Sequence, residues 1–209
     1  YKRLIYTIMI NYKIIRKSSI NRKTSETNIK TEVNIDGTGK HNIDTPVPFF
    51  THMLEQLAKH SGVDLSIKCK GDIEIDAHHT IEDLGWTIGQ AFDKALKDRR
   101  GINRFANIAL PMDECLTNCS IDVSGRPWLV WKVILPNKKI GEIESEIFRE
   151  FFQAFSQSAK MTIHIQNIYG TNAHHIIESC FKALAVSLKY SLIINDQFAD
   201  QVPSTKGKI

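Results

Sequence analysis

The chain predicts an α+β fold made of two copies of one half-domain, with helices packed on one face of two antiparallel sheets. Three internal correspondences predict it. A shift of 96 places lays His78-His79-Thr80-Ile81-Glu82 on His174-His175-Ile176-Ile177-Glu178. A shift of 98 lays the alternating Val63, Leu65 and Ile67 on Met161, Ile163 and Ile165. A shift of 86 lays Ile35-Asp36-Gly37-Thr38-Gly39 on Ile121-Asp122-Val123-Ser124-Gly125.

Each half opens with strands that run into one of these glycine turns. A short helix follows, Phe49-Phe50-Thr51-His52-Met53-Leu54 in the first copy and Ile147-Phe148-Arg149-Glu150-Phe151-Phe152 in the second, again at a shift of 98. Next comes the alternating strand, whose period of two fits one buried and one solvated face. Last is a longer helix, preceded by Asp76 in one copy and Asn172 in the other, both good helix N-caps. Its apolar positions, Ile81, Leu84, Ile88, Phe92 and Ala95, then Ile177, Cys180, Leu184 and Leu188, keep helical spacing.

The paired His-His-x-x-Glu segments point to metal chemistry, because they hold four of the eight histidines. At ~3.6 residues per turn His78 and His79 point about 100° apart, while each shares a face with Glu82. The two histidines of a segment therefore serve different ions, and two segments imply a paired or bridged site. One such segment alone is an ordinary polar helix start; two in register are not. Neither has the His-Glu-x-x-His order of zinc proteases or its inverse. The helix-to-helix match also lays His52 on Glu150, both donor types for divalent ions, which adds one ligand per half. His164 aligns with Ser66, between inward-facing strand residues, and is expected to face solvent.

Length and charge set bounds. At 209 residues the chain holds two half-domains sharing one core. Residues 1–25 contain seven basic residues and no acid, so the remainder, with 20 basic and 23 acidic residues, carries −3. The basic balance belongs to the start of the chain, read as a disordered leader over residues 1–21, and charge gives the body no nucleic-acid role. Apolar residues there are broken by Asn11, Tyr12 and Lys13, unlike a signal peptide. No segment reaches the ~18 apolar residues of a membrane span. Cys69, Cys115, Cys119 and Cys180 lack metal-ligand spacing and read as reduced thiols of a cytoplasmic protein, Cys115 and Cys119 as packing residues in a strand.

The segments Thr24-Ser25-Glu26-Thr27, Phe50 to Leu57, Asp76 to Gly85, Arg100 to Phe105, Met112-Asp113-Glu114, Asp122 to Pro127, Asn172 to Glu178 and Pro203 to Gly207 closely resemble the imidazoleglycerol-phosphate dehydratase family, in order and at family spacing from about residue 22 onward. The resemblance implies a domain over 22–209, with half-repeats near 22–104 and 105–200, and a four-helix layer between two four-stranded, mostly antiparallel sheets. It implies dehydration of imidazole glycerol phosphate to imidazole acetol phosphate in histidine biosynthesis, two Mn2+ ions per active site, and a 24-subunit shell with sites assembled between subunits.

Carried over by position, the resemblance implies His52, His78, His79, Glu82, His174, His175 and Glu178 as metal ligands. Glu150 stands where many members have histidine, and we expect it to bind metal and make the site harder. Glu26 is the expected proton-transfer group, with Glu178 as competitor. Arg104, Arg126, Lys182, Ser204 and Lys206 occupy the family's phosphate-site positions, the last two in a loop over 203–207. Asp113 and Glu114 receive no catalytic role. The rival readings are a dinuclear hydrolase of a small phosphate ester and a shell protein merely stapled by metal; a nucleic-acid module ranks last.

Overall fold

The computed structural model describes residues 15–209. The first half runs β1 (Lys17–Lys23), β2 (Thr27–Asn34), β3 (His41–Asp44), α1 (Pro48–Ser61), β4 (Asp64–Gly71) and α2 (His78–Leu96). The second runs β5 (Phe105–Met112), β6 (Cys115–Asp122), β7 (Trp128–Lys132), a small hairpin of β8 (Lys139–Ile140) and β9 (Ile143–Glu144), then α3 (Ile147–Ala159), β10 (Thr162–Tyr169) and α4 (Ala173–Ser191). A 3-10 turn at Asp196–Phe198 follows.

Two sheets have the same order, β1-β2-β4-β3 and β5-β6-β10-β7. Within each, two pairings are antiparallel and one is parallel, β3 with β4 and β7 with β10. The parallel pairs follow from connectivity: α1 and α3 are the crossovers that parallel neighbours need. Residues alternate in and out along β2, where Thr27, Ile29, Thr31 and Val33 are buried, and along β6, where Cys115, Thr117, Cys119 and Ile121 are buried.

The strands themselves repeat at a shift of 88, not 86. Thr31 lies opposite Ile67, and Cys119 lies opposite Ile165. The shift of 86 matched the turns, where Gly39 and Gly125 both have positive φ, +80° and +73°. The second connection is two residues shorter, so turn and strand obey different offsets.

The helices lie between the sheets and join the halves. α2 covers β1 and β2, α4 covers β5 and β6, α2 runs along α3, and α1 runs along α4. Each helix pair thus takes one member from each half. The α2–α3 seam is tight because Gly85 and Gly89 have no side chain: a Cβ on Gly85 would lie 2.5 Å from the Phe151 carbonyl oxygen, and one on Gly89 2.6 Å from that of Phe155. The shift of 96 puts Phe181 in α4 where α2 has Gly85. Its ring meets Phe50 of α1 at 5.7 Å and Phe152 at 4.8 Å, at the centre of a buried aromatic cluster. The four cysteines are buried and free, with Cys115 and Cys119 inside β6 as expected.

The expected leader over residues 1–21 is too long. β1 starts at Lys17 and pairs with β2 along its whole length. Arg16 is only 7% exposed; it pairs with Asp36 and donates from Nη1 to the Leu192 carbonyl oxygen at 2.7 Å, tying the first strand to the end of α4. A strand whose inward side offers only Ser18, Ile20 and Arg22 has a weak apolar signal, which its basic residues outweighed. Residues 1–14 lie outside the described residues.

Candidate metal centre

The HHxxE segments sit at helix starts for a backbone reason. Asp76 Oδ1 accepts the His78 N–H at 2.7 Å, and Asn172 Oδ1 accepts those of His174 and His175 at 2.9 and 3.4 Å. These side chains satisfy amides that have no partner within the helix. Packing of α1 on α4 then brings His52 to the second segment. His174 Nε2 is 3.0 Å and His52 Nε2 3.9 Å from Glu178 Oε2, and one donor atom from each of the three lies within 4.8 Å of the others. Donors around one ion at about 2.1 Å stand at most about 4.2 Å apart, and both histidine contacts to Glu178 Oε2 already fall within that span. The ring of Phe49 stands edge-on to His174 with centroids 5.1 Å apart, holding the imidazole in place.

Glu178 is 8% exposed on its side chain. Burial pushes its carboxyl pKa up, but the hydrogen bond and charge of Lys182, a hydrogen bond to His174 and the charge of His52 outweigh burial and hold it below the usual range. Lys182 Nζ is 2.7 Å from Oε1, so Oε2 is the oxygen turned to the histidines. Lys182, expected at the phosphate, is thus paired with a carboxylate of the three-donor group.

In the first segment His78 Nε2 and Glu82 Oε2 approach to 3.6 Å. Glu150, on the neighbouring α3, instead accepts a hydrogen bond from Arg149 at 2.9 Å. Among the described residues only His52, His174 and Glu178 form a convergent three-donor group.

His79 and His175 point elsewhere. His79 Nδ1 donates to Asp72 Oδ2 at 3.0 Å, with Nε2 3.9 Å from Glu26 Oε1. His175 Nδ1 donates to Glu114 Oε2 at 2.7 Å, with Nε2 3.7 Å from Asp113 Oδ2. The Asp72 hydrogen bond raises the pKa of His79, and the Glu114 hydrogen bond raises that of His175. Glu114 falls to about 2, first through His175 and then through the backbone N–H groups of Asn172 and Thr171.

Two of the expected phosphate residues, Arg104 and Arg126, meet at Asp122. Arg104 Nε and Nη2 donate to its carboxylate at 2.7 and 3.2 Å, and Arg126 Nη2 lies 3.6 Å away. Arg104 Nη1 donates to the Pro203 carbonyl at 2.7 Å, and Ser204 Oγ accepts the Lys206 N–H at 3.2 Å. Arg104 thus anchors the loop that carries Ser204 and Lys206.

A family profile, imidazoleglycerol-phosphate dehydratase, matches residues 45–188. The imidazoleglycerol-phosphate dehydratase of Sinorhizobium fredii is 52% identical over 201 residues, covering 96% of this chain and all of that protein. The chain belongs to the imidazoleglycerol-phosphate dehydratase family. The family's enzyme from Agrobacterium fabrum is 54% identical over 194 residues, covering 93% of this chain and 98% of its own. The crystal structure of imidazoleglycerol-phosphate dehydratase from Staphylococcus aureus superposes with a TM-score of 0.78 at 35% identity, covering 86% of this chain and 99% of that one. That from Pyrococcus furiosus gives 0.78 at 32% identity, covering 91% and 100%. Imidazoleglycerol-phosphate dehydratases are metal-dependent enzymes acting on a small phosphate substrate, and the His52, His174 and Glu178 donors fit a divalent ion.

The sequence reading of this dehydratase fold missed Asp72 and left Glu114 without a role. Asp72 has no acidic counterpart under the repeat, since the shift of 96 carries it to Ile168. Glu114 had a signal: at the strand offset of 88 it is the counterpart of Glu26.

Proposed function

We propose that the chain dehydrates imidazole glycerol phosphate to imidazole acetol phosphate, as a hydro-lyase of histidine biosynthesis in the cytoplasm. The proposed site lies between neighbouring copies in a 24-subunit shell and uses two Mn2+ ions. The observation that carries this reading is the division of donors within one chain. His52 on α1 converges with His174 and Glu178 on α4, whereas His79 on α2 and His175 on α4 face their own carboxylates. Three donors leave coordination positions open on an ion, and a symmetric neighbour can lend a histidine to fill one of them. On this reading His78, Glu82 and Glu150 form the counterpart set across the α2–α3 seam.

Divalent ions supply Lewis acidity there, favouring the deprotonated azole ring of the substrate. The protein must do the rest. The hydroxyl on the carbon beside the ring leaves as water, the hydrogen on the next carbon goes to a base, and the resulting enol becomes the ketone. Both oxygens of Glu178 are engaged, one by Lys182 and one by the histidines. Glu26 is the freer group: Thr24 Oγ1 accepts its N–H at 3.1 Å, and its carboxylate stands beside His79 with no hydrogen bond among the described residues. A positioned carboxylate of this kind serves as general base. Asp122 aligns Arg104 and Arg126, and Arg104 holds the Ser204–Lys206 loop, which supports assigning these guanidinium groups and Lys206 to the phosphate end.

The test is direct. Purified protein supplied with Mn2+ and imidazole glycerol phosphate should form the acetol phosphate, and a chelator should stop it. No product with Mn2+ present, or hydrolysis of phosphate instead of loss of water, overturns the proposal.

A further inference from the structure

Two of the histidines outside the three-donor set, His79 and His175, are held by carboxylates that the repeat does not relate. His79 and His175 are counterparts, yet Asp72, on the connection from β4 to α2, holds the first, while Glu114, on the β5–β6 turn, holds the second. The counterpart of Glu114 is Glu26, on the β1–β2 turn, which lies near the other nitrogen of His79. We infer that Asp72 and Glu114 are positioning residues that fix His79 and His175 with Nδ1 protonated and Nε2 free for a divalent ion, and that Asp72, by taking this task in the first half, releases Glu26 for chemistry. The inference rests on the metal-dependent reading above.

An ionised carboxylate only accepts hydrogen bonds, so the proton of each imidazole must sit on Nδ1. The lone pair is then on Nε2, the nitrogen that faces away from the clamp. A carboxylate behind a ligating histidine fixes the ring's rotation and raises its basicity toward the ion. Two features separate these pairs from ordinary surface ion pairs. Asp72 is 14% exposed on its side chain, and its second oxygen, Oδ1, is buried without a hydrogen-bond partner. Such a group is costly to keep and is retained where it does a specific task. Glu114 uses both oxygens: Oε2 takes His175, and Oε1 takes the N–H groups of Thr171 and Asn172 at 3.1 and 2.8 Å. Asn172 in turn caps α4 through His174 and His175, so one carboxylate fixes both the ring and the turn that precedes it.

The exchange of roles also fits geometry. In the second half the turn carboxylate binds the imidazole at Nδ1, at 2.7 Å. In the first half the equivalent carboxylate stands 3.9 Å from Nε2, on the side where the ion would sit.

The experiment is a titration with Mn2+ alone, followed by the electron paramagnetic resonance signal of the free ion. Asp72→Ala and Glu114→Ala should weaken Mn2+ binding about ten- to a hundredfold. Asp72→Asn and Glu114→Gln keep an accepting oxygen and should recover much of that loss, while Glu26→Gln should leave Mn2+ affinity unchanged. Asp72 makes no other side-chain hydrogen bond among the described residues, so its variants stay readable if Glu114→Ala loosens the α4 start. Alanine variants with wild-type affinity, or amide variants no better than alanine, overturn the inference. His79→Ala and His175→Ala are the separate control: unchanged Mn2+ binding in those two would instead remove the metal reading itself.

Discussion

Replacing Gly85 with alanine tests whether the α2–α3 seam holds the first donor set together. The new Cβ would meet the Phe151 carbonyl oxygen at 2.5 Å and the Ala154 Cβ at 3.2 Å. Carbon and carbonyl oxygen ordinarily approach no closer than about 3.3 Å, so the helices must separate by about 0.8 Å. The obstacle is backbone, and no rotamer change relieves it. Overpacking of this kind costs about 1–3 kcal/mol, against about 1 kcal/mol gained from alanine's better helix propensity. With an unyielding neighbour the upper part of that range applies, giving a net loss of about 1–2 kcal/mol and a Tm lower by about 2–8 °C. Because α3 carries Glu150 and α2 carries His78 and Glu82, the same displacement should weaken Mn2+ binding at one of the two proposed sites. The assay is thermal melting of metal-free protein at one fixed concentration, paired with Mn2+ titration. A Tm equal to or above that of the unsubstituted protein would show that helix propensity dominates and refute the tight-seam reasoning.

Three further outcomes follow from the site. Glu26→Gln should lower kcat by about 10²–10⁴, the usual worth of a positioned base, while Mn2+ content stays the same; full activity would return the base role to Glu178. Removal of residues 203–209 should raise KM strongly without changing metal content, because Arg104 loses the loop it anchors; unchanged kinetics would count against the phosphate assignment. The Glu114–His175 pair should stabilise metal-free protein over a limited pH window. The raised His175 contributes fully below its ordinary 6.5 and loses its contribution as pH climbs through its higher folded value. The lowered Glu114 contributes above its ordinary 4.5 and loses its contribution as pH falls toward about 2. The Tm difference between unsubstituted protein and Glu114→Gln should therefore be largest between about pH 4.5 and 6.5 and shrink on both sides; a flat difference contradicts the pairing.

The long helices and their HHxxE starts were legible because three independent signals coincide there: an N-cap, helical apolar spacing and scarce histidines. His52 was legible because the short helices repeat at the same offset as the strands that follow them. β1 was not, since its inward positions are Ser18, Ile20 and Arg22 and its charge suggested a leader. The true strand offset was hidden because glycine turns conserve φ while the connection between them loses two residues. Asp72 was invisible for a different reason: its contact with His79 is made across a turn, by a residue with no counterpart in the repeat, and spacing rules cannot reach it. Arg104 and Lys182 carried a charge signal for phosphate, but only the folded chain reveals that Asp122, Pro203 and Glu178 hold them.

Mixing two inactive variants probes the shared site most directly. His174→Ala spoils the three-donor set, and His79→Ala spoils the histidine turned away from it. Co-refolded in equal amounts, they should regain dehydratase activity in roughly a quarter of sites, those pairing an intact donor set with an intact His79 from a neighbour. A mixture as inactive as either variant alone, with assembly unimpaired, would mean that each chain completes its own site.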